Sequence, residues 1–235
     1  MRVDVDDHVA GAARARGIAV IIDVFRAFTV APYAVAAGAS RVLPVGDVED
    51  ALALRRAIPG AVLVGERHAR RLPGFDAGNS PTEILAAPVA GRTVVHTTHA
   101  GTQGLVQATG ADEVLTGSLV NVSAIARYLR ARGPSQVTLV RMGHEARERC
   151  AEDDFCADSL LRLLEGGLAP TTADARQRLR DVPAARKFFD PACDWAPQTD
   201  FDYCTEVDRF DFVLRLCSGT DGRRELERLA SPGSM

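Results

Sequence analysis

The sequence has almost no lysine and no long apolar run. Lys187 is the only lysine among 235 residues, so arginine carries nearly all of the positive charge. With 28 basic and 31 acidic residues the net charge is −3, which excludes a global basic field that would recruit nucleic acid or an anionic membrane. No run approaches the ~20 apolar residues of a membrane span, and the amino terminus lacks an apolar signal region. We therefore expect a cytoplasmic protein.

Cysteine pairs and nucleotide-binding motifs are lacking too. The five cysteines are an odd number with no CxxC spacing, which favours reduced thiols over a disulfide framework or a zinc knuckle. Neither GxxxxGK[ST] nor GxGxxG occurs, so the P-loop and dinucleotide fingerprints are excluded. Asp23-Val24-Phe25 lacks the second acid of the Asp-x-Asp motif that haloacid dehalogenase phosphatases require.

Short β-branched runs alternate with alanine- and leucine-rich stretches along most of the chain. Strands are predicted over 18–24, 41–45, 61–64, 93–97, 113–116 and 137–142. Helices are predicted to begin near residues 27, 47, 80, 101, 121 and 152. This alternation predicts a three-layer α/β/α fold with a largely parallel or mixed sheet. We expect one α/β domain over 1–217, with two intertwined lobes as the alternative, and a polar, frayed tail over 218–235.

Polar residues follow the apolar runs, at the expected carboxyl ends of the strands. They are Asp23, Glu66, Thr97, Thr98 and Arg141. In open α/β sheets ligands bind outside this edge, so we expect the functional site there. The segment 188–212, rich in Phe, Asp and Pro, is interpreted either as an irregular element that closes over the site or as ordinary C-terminal packing.

The most informative motif is Gly65-Glu66-Arg67 followed by Gly74-Phe75-Asp76-Ala77-Gly78-Asn79-Ser80-Pro81. It combines two carboxylates, a guanidinium and several glycines after an apolar run. Ser80-Pro81-Thr82-Glu83 has the pattern of a capping box with proline at the first helical position. A helix is therefore predicted to begin there, with unpaired N–H groups that attract phosphate, sulfonate or carboxylate.

These residues resemble the signature of the 2-phosphosulfolactate phosphatases, magnesium-dependent enzymes that hydrolyse a phosphate monoester on a sulfonated hydroxy acid. Further family-like motifs follow in the same order: Asp23-Val24-Phe25-Arg26-Ala27, Thr97-Thr98 with Gly101-Thr102, Glu152-Asp153, and Asp200 with Cys204. The resemblance runs from about Ile18 to about Cys204.

The resemblance implies three sets of site residues, of which the metal and catalytic sets overlap. The implied metal ligands are Asp23, Glu66, Asp76, Glu152 and Asp153, more carboxylates than one Mg²⁺ requires. The implied catalytic residues are Asp23, Arg26, Glu66, Arg67 and Asp76, and we add His99 as a catalytic candidate because its pKa lies near working pH. Substrate and phosphate contacts are expected from Asn79, Ser80, Thr97, Thr98, Gly101 and Thr102. The arginines suit phosphate and sulfonate because their planar forks make bidentate contacts.

The chain departs from the family pattern at one turn. His99-Ala100 stands where the family has a single asparagine, which makes the turn one residue longer. Two interpretations stay open. His99 replaces the amide as a hydrogen-bond donor or as the proton donor to the leaving alkoxide, or the substrate itself differs.

We expect a Mg²⁺-dependent phosphatase that converts 2-phosphosulfolactate to sulfolactate and phosphate. The alternatives are a phosphatase of the same fold that acts on a non-sulfonated phosphorylated metabolite, and a phospho-ligand binding module without turnover. The expected partner is a small anionic phosphorylated substrate, with no nucleic acid and no membrane. The sequence leaves open whether the chain forms a homo-oligomer and whether an aspartate or a metal-bound water is the nucleophile.

Overall fold

A computed structural model describes residues 1–232 of the chain. Its strands are β1 (Arg2–Asp7), β2 (Ile18–Ile22), β3 (Arg41–Pro44), β4 (Val62–Arg67), β5 (Arg70–Arg71), β6 (Thr93–Thr97), β7 (Glu113–Gly117), β8 (Gln136–Arg141), β9 (Phe212–Ser218) and β10 (Arg224–Ala230). Its helices are α1 (His8–Arg14), α2 (Ala27–Ala36), α3 (Val48–Ala57), α4 (Pro81–Ala86), α5 (Gly101–Gln107), α6 (Val122–Arg132), α7 (Ala151–Leu164), α8 (Thr172–Leu179) and α9 (Gln198–Cys204). Two 3-10 turns cover Leu119–Asn121 and Pro183–Phe188.

The strands form two mixed sheets. The larger sheet has the order β1-β8-β2-β7-β9-β10, in which β1, β8, β2 and β7 are parallel and the β9–β10 hairpin is antiparallel. The smaller sheet has the order β3-β6-β4-β5, and β5 is its antiparallel member. All six predicted strands and all six predicted helix starts are present, with no boundary displaced by more than three residues.

Strand β2 shows why the larger sheet is covered on both faces. All five of its residues are buried. Ala19 and Ile21 pack into a core with α2 and α5, whereas Val20 and Ile22 pack into a second core with α6 and α7. Because successive side chains of a strand point to opposite faces, an entirely apolar strand requires a helical layer on each side. The predicted three-layer α/β fold is confirmed.

The smaller sheet shares the first of these cores. Val42, Val62 and Val94 point into it together with residues of α2. Leu43, Leu63 and Val95, their neighbours along the strands, point the other way into a third cluster beneath α3. The two sheets are therefore joined through one continuous apolar core.

The predicted frayed tail is wrong for most of its length. Strand β10 pairs with β9 from the Arg224–Ser218 pair to the Ala230–Phe212 pair, and Leu226 is buried. Polar residues flank Leu226 and Leu229, because this hairpin lies at the sheet edge and is only partly covered. Residues 233–235 of the predicted tail lie outside the described part. Within residues 1–232 no helix is both long and apolar enough to cross a membrane.

Candidate active site

A cavity of about 330 Å³ lies at the carboxyl ends of two strands from each sheet. Asp23 follows β2, Glu66 lies near the end of β4, His99 follows β6, and Gly143 follows β8. The first turn of α7 and the 3-10 turn at Pro183–Phe188 also line the cavity. Its position matches the crevice in which open α/β sheets bind ligands.

Asp23 is held at the junction of β2 and α2. Its Oδ1 accepts a hydrogen bond from the N–H of Ala27 at 3.1 Å, so the carboxylate caps the start of α2. Gly101 approaches it so closely that a Cβ there would lie 2.8 Å from Asp23 Oδ2. Burial raises the pKa of Asp23 to about 7, and the charges of Glu66 and Glu152 add to the shift.

Glu66 links two loops across the cavity floor. Its Oε1 accepts from the backbone N–H of His99 at 2.7 Å, and its Oε2 accepts from that of Ala69 at 2.7 Å. The side chain is buried. Hydrogen bonds from backbone N–H groups stabilise the charged carboxylate while they fix its orientation.

Helix α7 contributes two further buried carboxylates from its first turn. Asp153 accepts from the N–H of Val24 at 2.9 Å and from that of Gly143 at 2.8 Å. Burial first, and then the charges of Asp23 and Glu152, raise the pKa of Asp153 well above its usual range. Glu152 also has a raised pKa because of burial. Its Oε2 has no hydrogen-bond partner among residues 1–232, so this part of the cavity has an excess of negative charge.

Two cations face these carboxylates. The guanidinium of Arg26 is buried and pairs with Asp200 at 2.5 Å, and it also donates to the carbonyl of Ala69 at 3.2 Å. Lys187 lines the same cavity, and loss of hydration followed by the charge of Arg26 lowers its pKa. Within the described chain Lys187 makes no ion pair, so it is the cation whose charge is available to a bound anion.

Asn79 and Ser80 are both predicted substrate contacts, but only Asn79 lines the cavity, and Ser80 is buried beside it. Asn79 lines the cavity, and its Oδ1 lies 3.2 Å from Nε2 of His96. Burial lowers the pKa of His96 to about 4, so the ring is neutral at pH 7 and donates to Asn79. Ser80 caps α4 as predicted by accepting from the N–H of Glu83, and its hydroxyl donates to Asp200 at 2.8 Å.

The structure does not bring Asp76 to the cavity, contrary to its predicted catalytic and metal-binding roles. Its carboxylate accepts from the N–H of Leu63 at 2.7 Å and pairs with Arg55 beside a separate groove. The segment around Ala77 bridges to β4 like a short strand. Adjacent side chains there point to opposite faces, and with Ala77 buried, Asp76 points outward.

Arg67 also points away from the carboxylates. Its guanidinium donates to the carbonyl oxygens of Glu66 and Gly46 and to Oγ1 of Thr97. Glu66 and Arg67 are neighbours on β4, so their side chains leave opposite faces of the strand. Arg67 therefore ties the loop after β3 to β4 and does not line the cavity.

The predicted anion cradle at residues 97–102 is mostly satisfied internally. The N–H of Thr98 donates to Thr102 Oγ1 at 2.8 Å, and the N–H of Thr102 donates to Thr98 Oγ1 at 3.1 Å. Of this turn, His99 and Ala100 line the cavity, whereas Thr97, Thr98, Gly101 and Thr102 do not. Gly101 instead permits the close approach of Asp23.

Comparison with known proteins identifies the family of the chain. A family model described as 2-phosphosulpholactate phosphatase matches residues 5–219. The chain belongs to the 2-phosphosulfolactate phosphatase family.

Relatives named probable 2-phosphosulfolactate phosphatase match most of the chain. The Thermotoga petrophila protein is 32% identical over 209 residues, which cover 86% of this chain and 89% of the relative. The Bacillus subtilis protein is 29% identical over 200 residues, or 85% and 86% of the two chains. The Deinococcus radiodurans protein is 40% identical over 131 residues, 55% of each chain. The family places the chain among the phosphoric monoester hydrolases.

In this member of the 2-phosphosulfolactate phosphatase family, sequence patterns assigned no role to several residues in or beside the cavity. The one sequence feature that distinguishes Lys187 is that it is the only lysine in the chain. Asp200 stood at a family-like position, and the structure makes it the partner of Arg26 and Ser80. His68 and Glu145 come from loops far apart in sequence and meet only in the folded chain. The segment 188–212 contributes Trp195 to the wall, which supports its interpretation as a closing element.

Proposed function

We propose that the chain is a Mg²⁺-dependent phosphatase that hydrolyses the phosphate monoester of a small 2-hydroxy acid, with 2-phosphosulfolactate as the expected substrate. The observation that supports this best is the convergence of four buried carboxylates and two cations on one cavity of about 330 Å³. Such a site can hold a cation and a phosphorylated anion together. The name of the family supplies the substrate class.

The carboxylates fit Mg²⁺ because they offer oxygen donors alone. Glu152 Oε2, buried and without a partner among residues 1–232, needs a cation beside it. Glu152 with Asp23 or Asp153 would hold the ion, and Glu66 would keep the surrounding loops in place. Bound there, Mg²⁺ would neutralise charge on the phosphoryl oxygens.

Arg26 and Lys187 would bind the anionic substrate opposite these carboxylates. Arg26 is oriented by Asp200, so part of its charge is already balanced, and its remaining N–H groups would position the phosphoryl or acid group. Lys187 has no such partner within the described chain. Its positive charge would stabilise the negative charge that develops as the P–O bond breaks. Asn79 would add a hydrogen bond from its amide group.

The altered turn favours a second candidate substrate. His99 and Ala100 line the cavity at the position where the family has asparagine. A phosphorylated hydroxycarboxylate without sulfur would fit the same carboxylates and cations. We also propose a cytoplasmic location, because the cysteines of the described chain are free thiols.

Phosphate release from 2-phosphosulfolactate, phospholactate and 3-phosphoglycerate, with Mg²⁺ and with chelator, tests the proposal. We expect release from 2-phosphosulfolactate that requires the metal and falls by about 100-fold or more in Asp153→Asn. Asp158→Asn, an exposed carboxylate on the same helix, is the matched control and should retain activity. Release from a non-sulfonated ester alone would establish the second substrate class. Saturable binding without release would establish the binding module.

A further inference from the structure

Three cavity residues, other than the four carboxylates assigned to Mg²⁺, form a compact group. One donor atom from each of His68, His99 and Glu145 lies within 4.8 Å of the others. We propose that these three residues form a site for a divalent transition metal, with Zn²⁺ as the best-suited ion. This site is separate from the carboxylates assigned to Mg²⁺, and the proposal does not depend on which phosphate ester the protein hydrolyses.

Two sharp turns carry His68 and Glu145 toward each other. Both residues have left-handed backbone conformations, with φ of 53° at His68 and 51° at Glu145. His68 follows β4, and Glu145 follows β8 in the other sheet. Their side chains meet with Nδ1 of His68 2.5 Å from Oε1 of Glu145. Non-glycine residues seldom adopt positive φ, so such positions recur where a fold directs side chains to a binding site.

His99 completes the group from the altered turn after β6. Its ring lies against that of His68, with centroids 5.0 Å apart and an interplanar angle of 73°. Its Nδ1 is buried and lacks a hydrogen-bond partner among residues 1–232. The backbone of His99 is fixed by its N–H donation to Glu66. A buried ring nitrogen without a partner is costly, and a metal bond would satisfy the group as a hydrogen bond does.

Two imidazoles and one carboxylate select a transition metal over Mg²⁺. Mg²⁺ prefers oxygen ligands, whereas imidazole suits Zn²⁺, Co²⁺ and related ions. Three protein ligands are also the number found in zinc sites that keep a position open. All three residues line the cavity, so that position would be filled by water or by an anionic group of a bound ligand.

Only small side-chain rotations are needed to admit the ion. Zn²⁺ bonds to nitrogen and oxygen are about 2.1 Å long, so the ligand atoms of a tetrahedral site lie about 3.4 Å apart. Binding would therefore replace the His68–Glu145 hydrogen bond and draw the third donor slightly inward. As a ligand, His99 would hold a metal instead of delivering a proton to the leaving group.

Cobalt absorption tests the site without any phosphatase substrate. The full-length protein is stripped of metal with a chelator, desalted and titrated with Co²⁺. We expect visible d–d bands of a four- or five-coordinate ion that saturate at one equivalent and are removed by Zn²⁺. Millimolar Mg²⁺ should leave the bands in place, because Mg²⁺ does not compete for imidazole ligands.

Variants assign the signal to the three residues. His99→Asn and Glu145→Gln should each weaken Co²⁺ and Zn²⁺ affinity by more than the roughly 10- to 100-fold typical of losing a partner that only orients a ligand. His144→Ala, which removes another histidine of the same cavity wall, should retain affinity. Thermal unfolding of each metal-free variant verifies that it is folded. Absence of the bands, their loss with Mg²⁺, or unchanged affinity in both folded variants would overturn the proposal.

Discussion

At the scale of single residues, the buried carboxylate of Glu152 destabilises the metal-free fold and offers an oxygen ligand to the proposed cation. Its carboxylate is buried, one oxygen has no partner in the described chain, and burial raises its pKa. Burying a charge without a partner destabilises a fold, so such a group is explained best by a cation that arrives later. Glu152 should therefore lower the free energy of unfolding of the metal-free protein and raise that of the metal-bound protein.

Glu152→Gln should make the metal-free protein more stable and the enzyme inactive. Removing the buried charge is expected to raise the free energy of unfolding by about 1 kcal/mol. Stabilisation by Mg²⁺ should be lost together with phosphate release. Urea unfolding with chelator and with Mg²⁺ measures both effects, and Asp158→Asn serves as the exposed control. A metal-free variant that is less stable than the wild type would contradict this account.

Asp76→Asn tests the placement of Asp76 outside the cavity. The side chains of the Asp76–Arg55 ion pair are each more than a third exposed. The substitution would also weaken the hydrogen bond that Asp76 accepts from the N–H of Leu63. We expect the free energy of unfolding to fall by about 1 kcal/mol, whereas kcat/KM stays near that of the wild type. Steady-state phosphate release measures kcat/KM. A loss of kcat/KM comparable to that of Asp153→Asn would show that Asp76 belongs to the active site.

The sequence could identify Asp23, Glu66 and Asp153 because each lies at a strand end or a helix start within a family-like motif. It could not orient Asp76 or Arg67, since a displacement of one position along a strand turns a side chain to the opposite face. Lys187 was missed for another reason. Its segment acquires a role only when it folds over strands that precede it by more than 100 residues.

At the scale of elements, β4 and β6 approach each other closely beside Glu66. Gly65 pairs with Thr97 across the two strands. A Cβ at Gly65 would lie 2.3 Å from the carbonyl oxygen of Thr97 and 2.9 Å from its Cγ2. The glycine of the Gly-Glu-Arg motif is therefore required by packing between strands, and it sets the position of the carboxylate that follows.

Gly65→Ala should separate β4 from β6 and shift Glu66. We expect a loss of about 1 to 3 kcal/mol of unfolding free energy from overpacking, with reduced kcat from the displaced loops at Ala69 and His99. Gly46→Ala is the matched control, because its Cβ would meet only the flexible end of Gln103 at 3.3 Å. Thermal unfolding and phosphate release compare the two. Equal stability of both variants would refute the packing argument.

Elements in the middle of the chain were predictable because their apolar runs are continuous and bounded by helix starts. The hairpin β9–β10 was not, since Arg224, Glu225 and Glu227 interrupt its pattern. Its stability depends on long-range partners, among them the pairing of β9 with β7 and the ion pairs from Arg41 to Glu225 and Asp221. Local propensity carries no information about such partners.

At the scale of the whole molecule, the cluster of acids couples folding to pH and, under the proposed function, to metal binding. The pKa of Asp23 rises from 3.8 to about 7 on folding, so the folded metal-free protein binds a proton that the unfolded chain releases. Its contribution to stability is therefore complete below about pH 4 and is lost as the pH rises through 7. A bound cation would replace the proton at neutral pH.

Metal-free protein should therefore lose stability at this site between pH 4.5 and 7.5, and Mg²⁺ should restore it. Urea midpoints of the wild type are compared with those of Asp23→Asn at both values, with chelator and with Mg²⁺. Without metal, the urea midpoint of the wild type should fall relative to that of Asp23→Asn as the pH rises from 4.5 to 7.5. A relative rise would show that the sign of the shift is wrong.

The order of strands in the larger sheet has a consequence during synthesis on the ribosome. The central apolar strand β2 pairs with β7 and β8, which begin about 95 and 118 residues later. At typical translation rates its buried surface waits roughly 5 to 20 s for the first partner. During this time the nascent chain exposes apolar surface of the kind that chaperones bind, and Asp23 and the acids of α7 meet Lys187 only after most of the chain has been translated.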